Sequence, residues 1–354
     1  MDKTKVLLAD SDMKRAAALA AQLQQKGVEV FSTNDAVHTM GMARKTKPDL
    51  ILLSGQLAGG GGLAALRRIR SNVFTANIPV VGLVGTTGSQ EHELVGAGAQ
   101  SCLRMPVDAA ALQAAIGAHQ LQSLDFTLAP AAVLAEPARM EAVQETRLLD
   151  SPPERAFDRI THLAARLIDA PTALVTLVDK DRQFFKSQVG LAQPWAGERQ
   201  TRLSHSFCQW VVAGKEPVVI RDANEHPALR KNLAIRDLGV IAYAGVPIHG
   251  RGGEAIGSMC TIDSQARTWT DEDVATLEDL RQIVEAYAVL DRAKRGGRKE
   301  GSLDLSLHVA GNAILGATRL LRRYGKRMAD AERVELLAII EEQAQHLVDL
   351  APKP

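Results

Sequence analysis

Over the first 120 residues, two patterns take turns, and that alternation limits the fold more than any other feature. Short runs at residues 6–9, 28–33, 50–53, 79–84 and 101–104 read as strands, and the run before Ser54 reads as a buried strand of a parallel sheet. Between them, residues 13–25, 36–45, 63–71, 90–97 and 109–120 read as helices. Five strands separated by five helices call for a parallel sheet covered on both sides, because each parallel crossover lays a helix against the sheet.

An open sheet of this kind gathers its chemistry at the carboxyl ends of its strands. Those positions hold Asp10 and Ser11 after the first strand, with Asp12 one place further on. Ser54 follows the third strand, Val84 ends the fourth, and Met105, with Arg104 beside it, precedes Pro106 after the fifth. After Ser54 come Gly55-Gln56-Leu57-Ala58 and the glycine run 59–62. A serine hydroxyl is neutral, is a weaker cation ligand than a carboxylate, and needs a neighbouring base to become a nucleophile.

In order, spacing and hydrophobic pattern, residues 3–121 resemble the receiver domain of bacterial two-component response regulators. The resemblance implies a flavodoxin-like (βα)5 fold. It also implies a phosphate-accepting aspartate at the Ser54 position, an acidic pair at Asp10 and Ser11, a threonine at Val84, a lysine at Met105 and an aromatic switch residue at Cys102. This chain departs at each of these positions, keeping only Asp10 in register. The expectation is a pseudo-receiver over residues 1–121 that takes no aspartyl phosphate; a different doubly wound domain is the rival reading.

Residues 122–141 read as a linker that turns helical near Ala138, and residues 142–291 as a second domain. There the strand patterns 173–179 and 183–187 flank the turn Asp179-Lys180-Asp181, a hairpin signal. Further strands are expected at 217–222, 242–248 and 255–263, with helices at 156–168 and 271–290. Leu148-Leu149-Asp150-Ser151-Pro152-Pro153, Ser206-Phe207-Cys208, Val219-Ile220-Arg221-Asp222-Ala223 and Gly257-Ser258-Met259-Cys260-Thr261-Ile262-Asp263 together resemble a GAF domain. That implies an antiparallel sheet with flanking helices and a ligand cavity or dimer face. Candidate pocket residues are Phe184, Ser206, Cys208, Trp210, Asp222 and Tyr243, with capping of a turn as the other reading of Asp222. The family's cyclic-nucleotide signature is not evident, so the ligand is open and no cofactor is expected. Cys208 and Cys260 lie in two of these motifs; they read as inert core residues, or else as a redox- or metal-sensing pair or a covalent tetrapyrrole attachment.

Residues 292–301 form a basic linker broken by Gly296 and Gly297, and residues 302–354 a helical hairpin. Leu303, Leu307, Ala310, Ile314, Ala317, Leu321 and Tyr324 make one apolar seam; Val334, Leu337, Ile340, Ala344 and Leu347 make a second. Two short helices do not bury such seams alone, and pairing with a second copy into a four-helix bundle is the expected solution. The hairpin resembles the dimerisation and phosphotransfer domain of sensor kinases in two registers. One puts the phosphoacceptor position at Leu305; the other puts it at His308, with Asn312 four residues on.

Net charge is +1, from 42 basic and 41 acidic residues, which argues against a broad nucleic-acid surface. No apolar run approaches the ~20 residues of a membrane helix. Met1-Asp2-Lys3-Thr4-Lys5 runs straight into a strand, leaving no signal peptide. The three cysteines make neither a disulfide framework nor a metal pattern, and a reducing cytoplasm is the expected setting. No GxxxxGK[ST] loop occurs, and no ATP-binding module follows the hairpin, so no enzyme is expected. The resulting expectation is a non-catalytic two-component regulator, a homodimer through its hairpin, with a histidine kinase or response regulator as partner. A phosphotransfer protein using His308 and a GAF-based small-molecule receptor are the alternatives.

Overall fold

The structure, a computed structural model, describes residues 3–86, 90–120, 127–295 and 303–350. The chain divides between Ala129 and Pro130 into two compact units. The first contains β1 (Lys5–Ala9), α1 (Met13–Gln25), β2 (Glu29–Thr33), α2 (Ala36–Thr46), β3 (Leu50–Ser54), α3 (Gly61–Ser71), β4 (Val80–Val84), α4 (Glu91–Gly96), β5 (Ser101–Arg104) and α5 (Ala109–Gln120). All five strands are parallel in the order β2-β1-β3-β4-β5, the flavodoxin-like arrangement.

Local chemistry sets these elements. The Asp12 carboxylate accepts from the Lys14 and Arg15 amides, and Asp35 from the Val37 and His38 amides, each satisfying otherwise orphaned donors at a helix start. α3 starts hard against the end of β3: a Cβ on Gly62 would lie 2.2 Å from the Ser54 carbonyl oxygen. Leu7, Ile51, Leu53 and Val80 face one core, and Val6, Leu50, Leu52 and Val81 face the other.

The second unit begins with α6 (Ala131–Leu134), inside the stretch read as a linker, and α7 (Pro137–Glu145), which runs from that stretch into the second domain; residues 122–126 lie outside the described residues. Arg139 of α7 is buried and donates to the Leu134 and Val178 carbonyls. Then come α8 (Arg155–Leu167), β6 (Thr172–Val178), β7 (Arg182–Val189), α9 (Trp195–Glu198), β8 (Gln200–Arg202), α10 (Cys208–Gly214), β9 (Val218–Ile220), α11 (Leu233–Leu238), β10 (Ala242–His249), β11 (Ala255–Asp263) and α12 (Asp271–Arg295). The strands form one antiparallel sheet, β8-β7-β6-β11-β10-β9. α8 and α12 cover one face; α10 lies on the other, over β11, β10 and β6.

α13 (Leu303–Tyr324) and α14 (Asp330–Leu350) complete this unit. α12 runs to Arg295; the rest of the basic linker, from Gly296, lies outside the described residues. The hairpin shares its core with the sheet domain: Ala313, Ala317, Leu320, Tyr324, Leu336 and Ile339 belong to the same buried cluster as Leu277, Leu280 and Ile283 of α12. Of the first expected seam, Ala310, Ala317 and Tyr324 are buried, whereas Leu307 is exposed. On α14 the buried stripe is Leu336, Ile339 and Gln343, and the expected Val334 and Leu337 face solvent. α14 carries apolar residues in two neighbouring stripes, and packing within the chain uses the one offset from that read in the sequence.

Polar contacts fix the hairpin. Arg319 Nε meets Asp279 Oδ1 at 2.6 Å, and Arg323 lies 3.3 Å from Asp279 Oδ2. The hydroxyls of Tyr324 and Thr276 are 2.9 Å apart, Tyr287 donates to Glu342, and Arg166 pairs with Glu332 at 3.1 Å. α13 lies hard against α12 at Gly316, where an added Cβ would lie 2.8 Å from the Asp279 carbonyl oxygen. Gly316→Val should therefore force the helices apart and cost roughly 1–3 kcal/mol, read as a lower thermal midpoint. Gly311→Ala, in open space on the same helix, should hold or raise the midpoint through helix propensity.

Candidate functional site

At the carboxyl edge of the parallel sheet, Asp10 leaves β1 with its side chain fully buried. Arg15, one turn into α1, grips both its oxygens: Nε to Oδ2 and Nη2 to Oδ1, each 2.6 Å. A bidentate guanidinium–carboxylate pair is the strongest common form of ion pair. The contact raises the Arg15 pKa further, first through the Asp10 hydrogen bonds. Ser11 Oγ donates to the Gln56 carbonyl at 2.7 Å. Ser54, also buried, turns back on its own loop, accepting from the Gln56 amide at 3.2 Å. Val84 is buried, and Met105, before cis Pro106, packs on the core. Arg104 bonds Glu91 at 2.9 Å. A magnesium ion of the kind receivers hold asks for near-octahedral oxygen ligation. One carboxylate already spent on a guanidinium, plus a serine hydroxyl, does not fit such an ion.

The six candidates in the antiparallel domain do not form one group. Phe184 pairs with Leu177 in register and joins the α8/α12 core, on the far face from α10. Asp222 is half-buried after β9 and accepts from the Asn224 amide at 2.9 Å, the capping geometry. Ser206, Cys208, Trp210 and Tyr243 are buried on the α10 side. Ser206 Oγ donates to Gln183 Oε1 at 2.6 Å. The Tyr243 hydroxyl lies 3.4 Å from Cys208 Sγ and 3.1 Å from Ser258 Oγ, and Cys208 and Cys260 bring their sulfurs to 3.9 Å. Burial pushes the Tyr243 phenol and the Cys260 thiol up. Cys208, hydrogen-bonded first by the Cys260 thiol and then by Thr176, Tyr243 and Ser258, is held down at about 7 against the upward push of burial.

On the hairpin, His308 is exposed and Asn312 half-buried, on the same helix. The side chain of Leu305 lies outside the described residues. Three residues that matter to these sites escaped the sequence reading: Arg15, Gln183 and Ser258. Arg15 follows Lys14, and nothing in the sequence says which of the two cations turns back to Asp10; Ser258 lies in the motif at 257–263 without being singled out, and Gln183 had no signal. Among the described residues, no group of three or more His, Cys, Asp or Glu is placed to hold a metal ion, and no helix is long and apolar enough to cross a membrane.

Residues 6–117 match the response regulator receiver domain family, and residues 152–286 the GAF domain family. Over 117 residues the chain is 30% identical to Protein PilH of Pseudomonas aeruginosa, covering 32% of this chain and 95% of that protein. The chain belongs to the response regulator receiver family. Its second unit carries a GAF domain, and the two together make it a signal-transduction regulator. The receiver domain of sensor histidine kinase PA1611 from P. aeruginosa, solved with magnesium in its active-site cleft, is 21% identical with a TM-score of 0.33, covering 34% of this chain and all of that one.

A further relative corrects one expectation. Over 153 residues the chain is 31% identical to Cyclic di-GMP phosphodiesterase PA2567 of P. aeruginosa, 43% of this chain and 25% of that protein. The expectation that no enzyme is present rests on the sequence carrying no GxxxxGK[ST] loop. Kinship with a named phosphodiesterase overturns it, since other chemistry needs no such loop.

Arg15→Ala should strand the buried Asp10 carboxylate and destabilise the receiver by roughly 2 kcal/mol, the low side for a buried pair because Arg15 is itself partly exposed. Asp10→Asn in the same background should recover part of the loss. Denaturant unfolding of the three proteins measures both effects.

Proposed function

We propose that this chain is a cytoplasmic two-component regulator whose receiver docks a histidine kinase or response regulator without taking an aspartyl phosphate. The supporting observation is the Arg15–Asp10 pair beside Ser54: the retained acid is neutralised, and a hydroxyl stands where the family has its acceptor. In this reading the GAF domain senses a small molecule or pairs with a second copy. The hairpin resembles a kinase dimerisation domain and adds a pairing face, on which Leu315, Val334, Leu337 and Val348 are exposed. The relationship to a phosphodiesterase supports looking for this regulator in cyclic di-GMP signalling.

The test is exposure of the full chain to radiolabelled acetyl phosphate with magnesium, beside a receiver that carries the aspartate. No label should enter residues 6–117 while the control is labelled. Phosphate on Asp10 or Ser54 would overturn the reading. Light scattering should find a dimer, and Leu315→Glu with Leu337→Glu should shift it to monomer.

A second reading is phosphotransfer through His308, favoured by its exposure one turn from Asn312. Peptide mass spectrometry at mildly alkaline pH, on protein from its native host, would then find a phosphate that His308→Ala abolishes.

A further inference from the structure

The face of the GAF sheet under α10 holds a group that neither docking nor dimerisation uses. Cys208 opens α10, and Cys260 lies in the middle of β11, 52 residues later. Their sulfurs are 3.9 Å apart, and both side chains are shielded from solvent. Tyr243 and Ser258 flank them, and Ser258 is tied to β6 through the Thr176 hydroxyl, which donates to its carbonyl at 3.1 Å. The sulfurs face each other across the boundary between helix and sheet, so a bond between them would fasten α10 to a central strand.

We infer that Cys208 and Cys260 form a disulfide when the protein meets a small hydroperoxide, making this GAF face a thiol-oxidation site.

A disulfide needs its sulfurs at about 2.05 Å, so closure asks for a relative shift of roughly 2 Å. A seven-residue helix lying on the sheet accommodates that more readily than two strands of one ladder would. Cys208 is the attacking sulfur, because the hydrogen bonds around it favour the thiolate, whereas burial keeps Cys260 protonated. The Cys208 thiolate attacks one peroxide oxygen and the O–O bond breaks. The departing oxygen takes up a proton and leaves as water, with Cys208 left as a sulfenic acid. The sulfur of Cys260 gives up its proton and attacks that of Cys208. The S–O bond breaks, hydroxide leaves with this proton as water, and the S–S bond forms. In balance, one hydrogen peroxide and two thiols give one disulfide and two waters.

Burial adds selectivity: hydrogen peroxide is scarcely larger than water, whereas a protein thiol or bulky alkylating agent does not reach these sulfurs while the fold is closed. Cys102, the third cysteine, is half-buried, and burial and Glu91 both push its thiol up, so it stays in the unreactive form. This inference is independent of the docking reading, since it rests on the GAF domain alone.

The experiment treats the folded full chain with hydrogen peroxide, quenches it, denatures it in N-ethylmaleimide and maps tryptic peptides without reductant. The expected product joins the Cys208 and Cys260 peptides, disappears with dithiothreitol, and leaves Cys102 alkylated. Its rate of formation should rise roughly tenfold from about pH 6 to about pH 8, following the thiolate of Cys208. Cys102→Ser should leave the product unchanged. Free Cys208 and Cys260 after peroxide has oxidised exposed methionines would overturn the inference. So would Cys208 driven to sulfinic acid beside a free Cys260, or a linkage that forms only in unfolded protein. None of these outcomes touches the acetyl phosphate result, so the two readings stand or fall apart.

Discussion

Helix α12 has to satisfy two packing partners at once, and the second unit is built on the way it does so. One side of it closes the core over β10 and β11 through Leu277, Leu280 and Ile283. The other receives α13 so closely that only glycine fits at position 316. Asp279, almost wholly buried at that crossing, is held by Arg319 and Arg323 from the partner helix. A buried carboxylate is costly without such partners, so the two arginines fix both register and approach. The hairpin thereby becomes part of the GAF core, a third layer on the helix side of the sheet. Residues left outside it, such as Val334 and Leu337, are those the internal packing had no room for.

The receiver works under a different constraint. A parallel sheet ends its strands in one crevice and directs polar side chains into it whether or not chemistry is done there. Asp10 arrives there with Ser11 next in the chain and the Asp12 carboxylate turned to cap α1. An isolated buried carboxylate would be expensive, and Arg15 relieves the cost within one turn of helix. The same ion pair that stabilises the crevice occupies an acceptor site on each Asp10 oxygen. Ser54, bonded to its own loop, adds no charge.

Much of this was legible in the sequence because the receiver's strands and helices differ in period and are punctuated by turn residues; the observed ends of α1, β5, α5 and β11 match those read from the pattern. α10 was missed because Cys208 to Ala213 are all buried, so the helix shows no polar face and hence no period. Phe184 could not be assigned a face in advance, since Phe184 and Phe185 are adjacent and point to opposite sides of the sheet, and nothing in the dipeptide says which is which. The α14 stripe failed for a similar reason: two apolar stripes one step apart are both good amphipathic patterns, and only the position of α13 chooses between them. Asp10 and Ser54 could be placed from spacing alone; Arg15 could not, because a guanidinium reaching back to a strand end depends on where the helix starts in space.

The two faces of the GAF sheet show what the fold requires and what it does not. The α8/α12 face packs Ala173, Val175, Leu177, Val246 and Met259 beneath the helices, with a buried polar patch confined to β7, where Lys186 lies over the Phe157 ring and Ser187 bonds Thr161 and Asp158 of α8. The opposite face carries Thr176, Gln183, Ser206, Tyr243, Ser258 and two cysteines, all buried. Buried polar groups cost about 1–3 kcal/mol each when unpaired and give back little more than that when paired. An apolar layer would close this face at least as well, as the greater part of the other face shows. Hydrogen bonds within the set, Ser206 to Gln183 and Tyr243 to Cys208 and Ser258, offset the desolvation without exceeding what hydrophobic packing supplies. Stability alone therefore does not account for this concentration of hydroxyl, amide and thiol groups under one short helix, and it is on this face that the domain's own chemistry is to be sought.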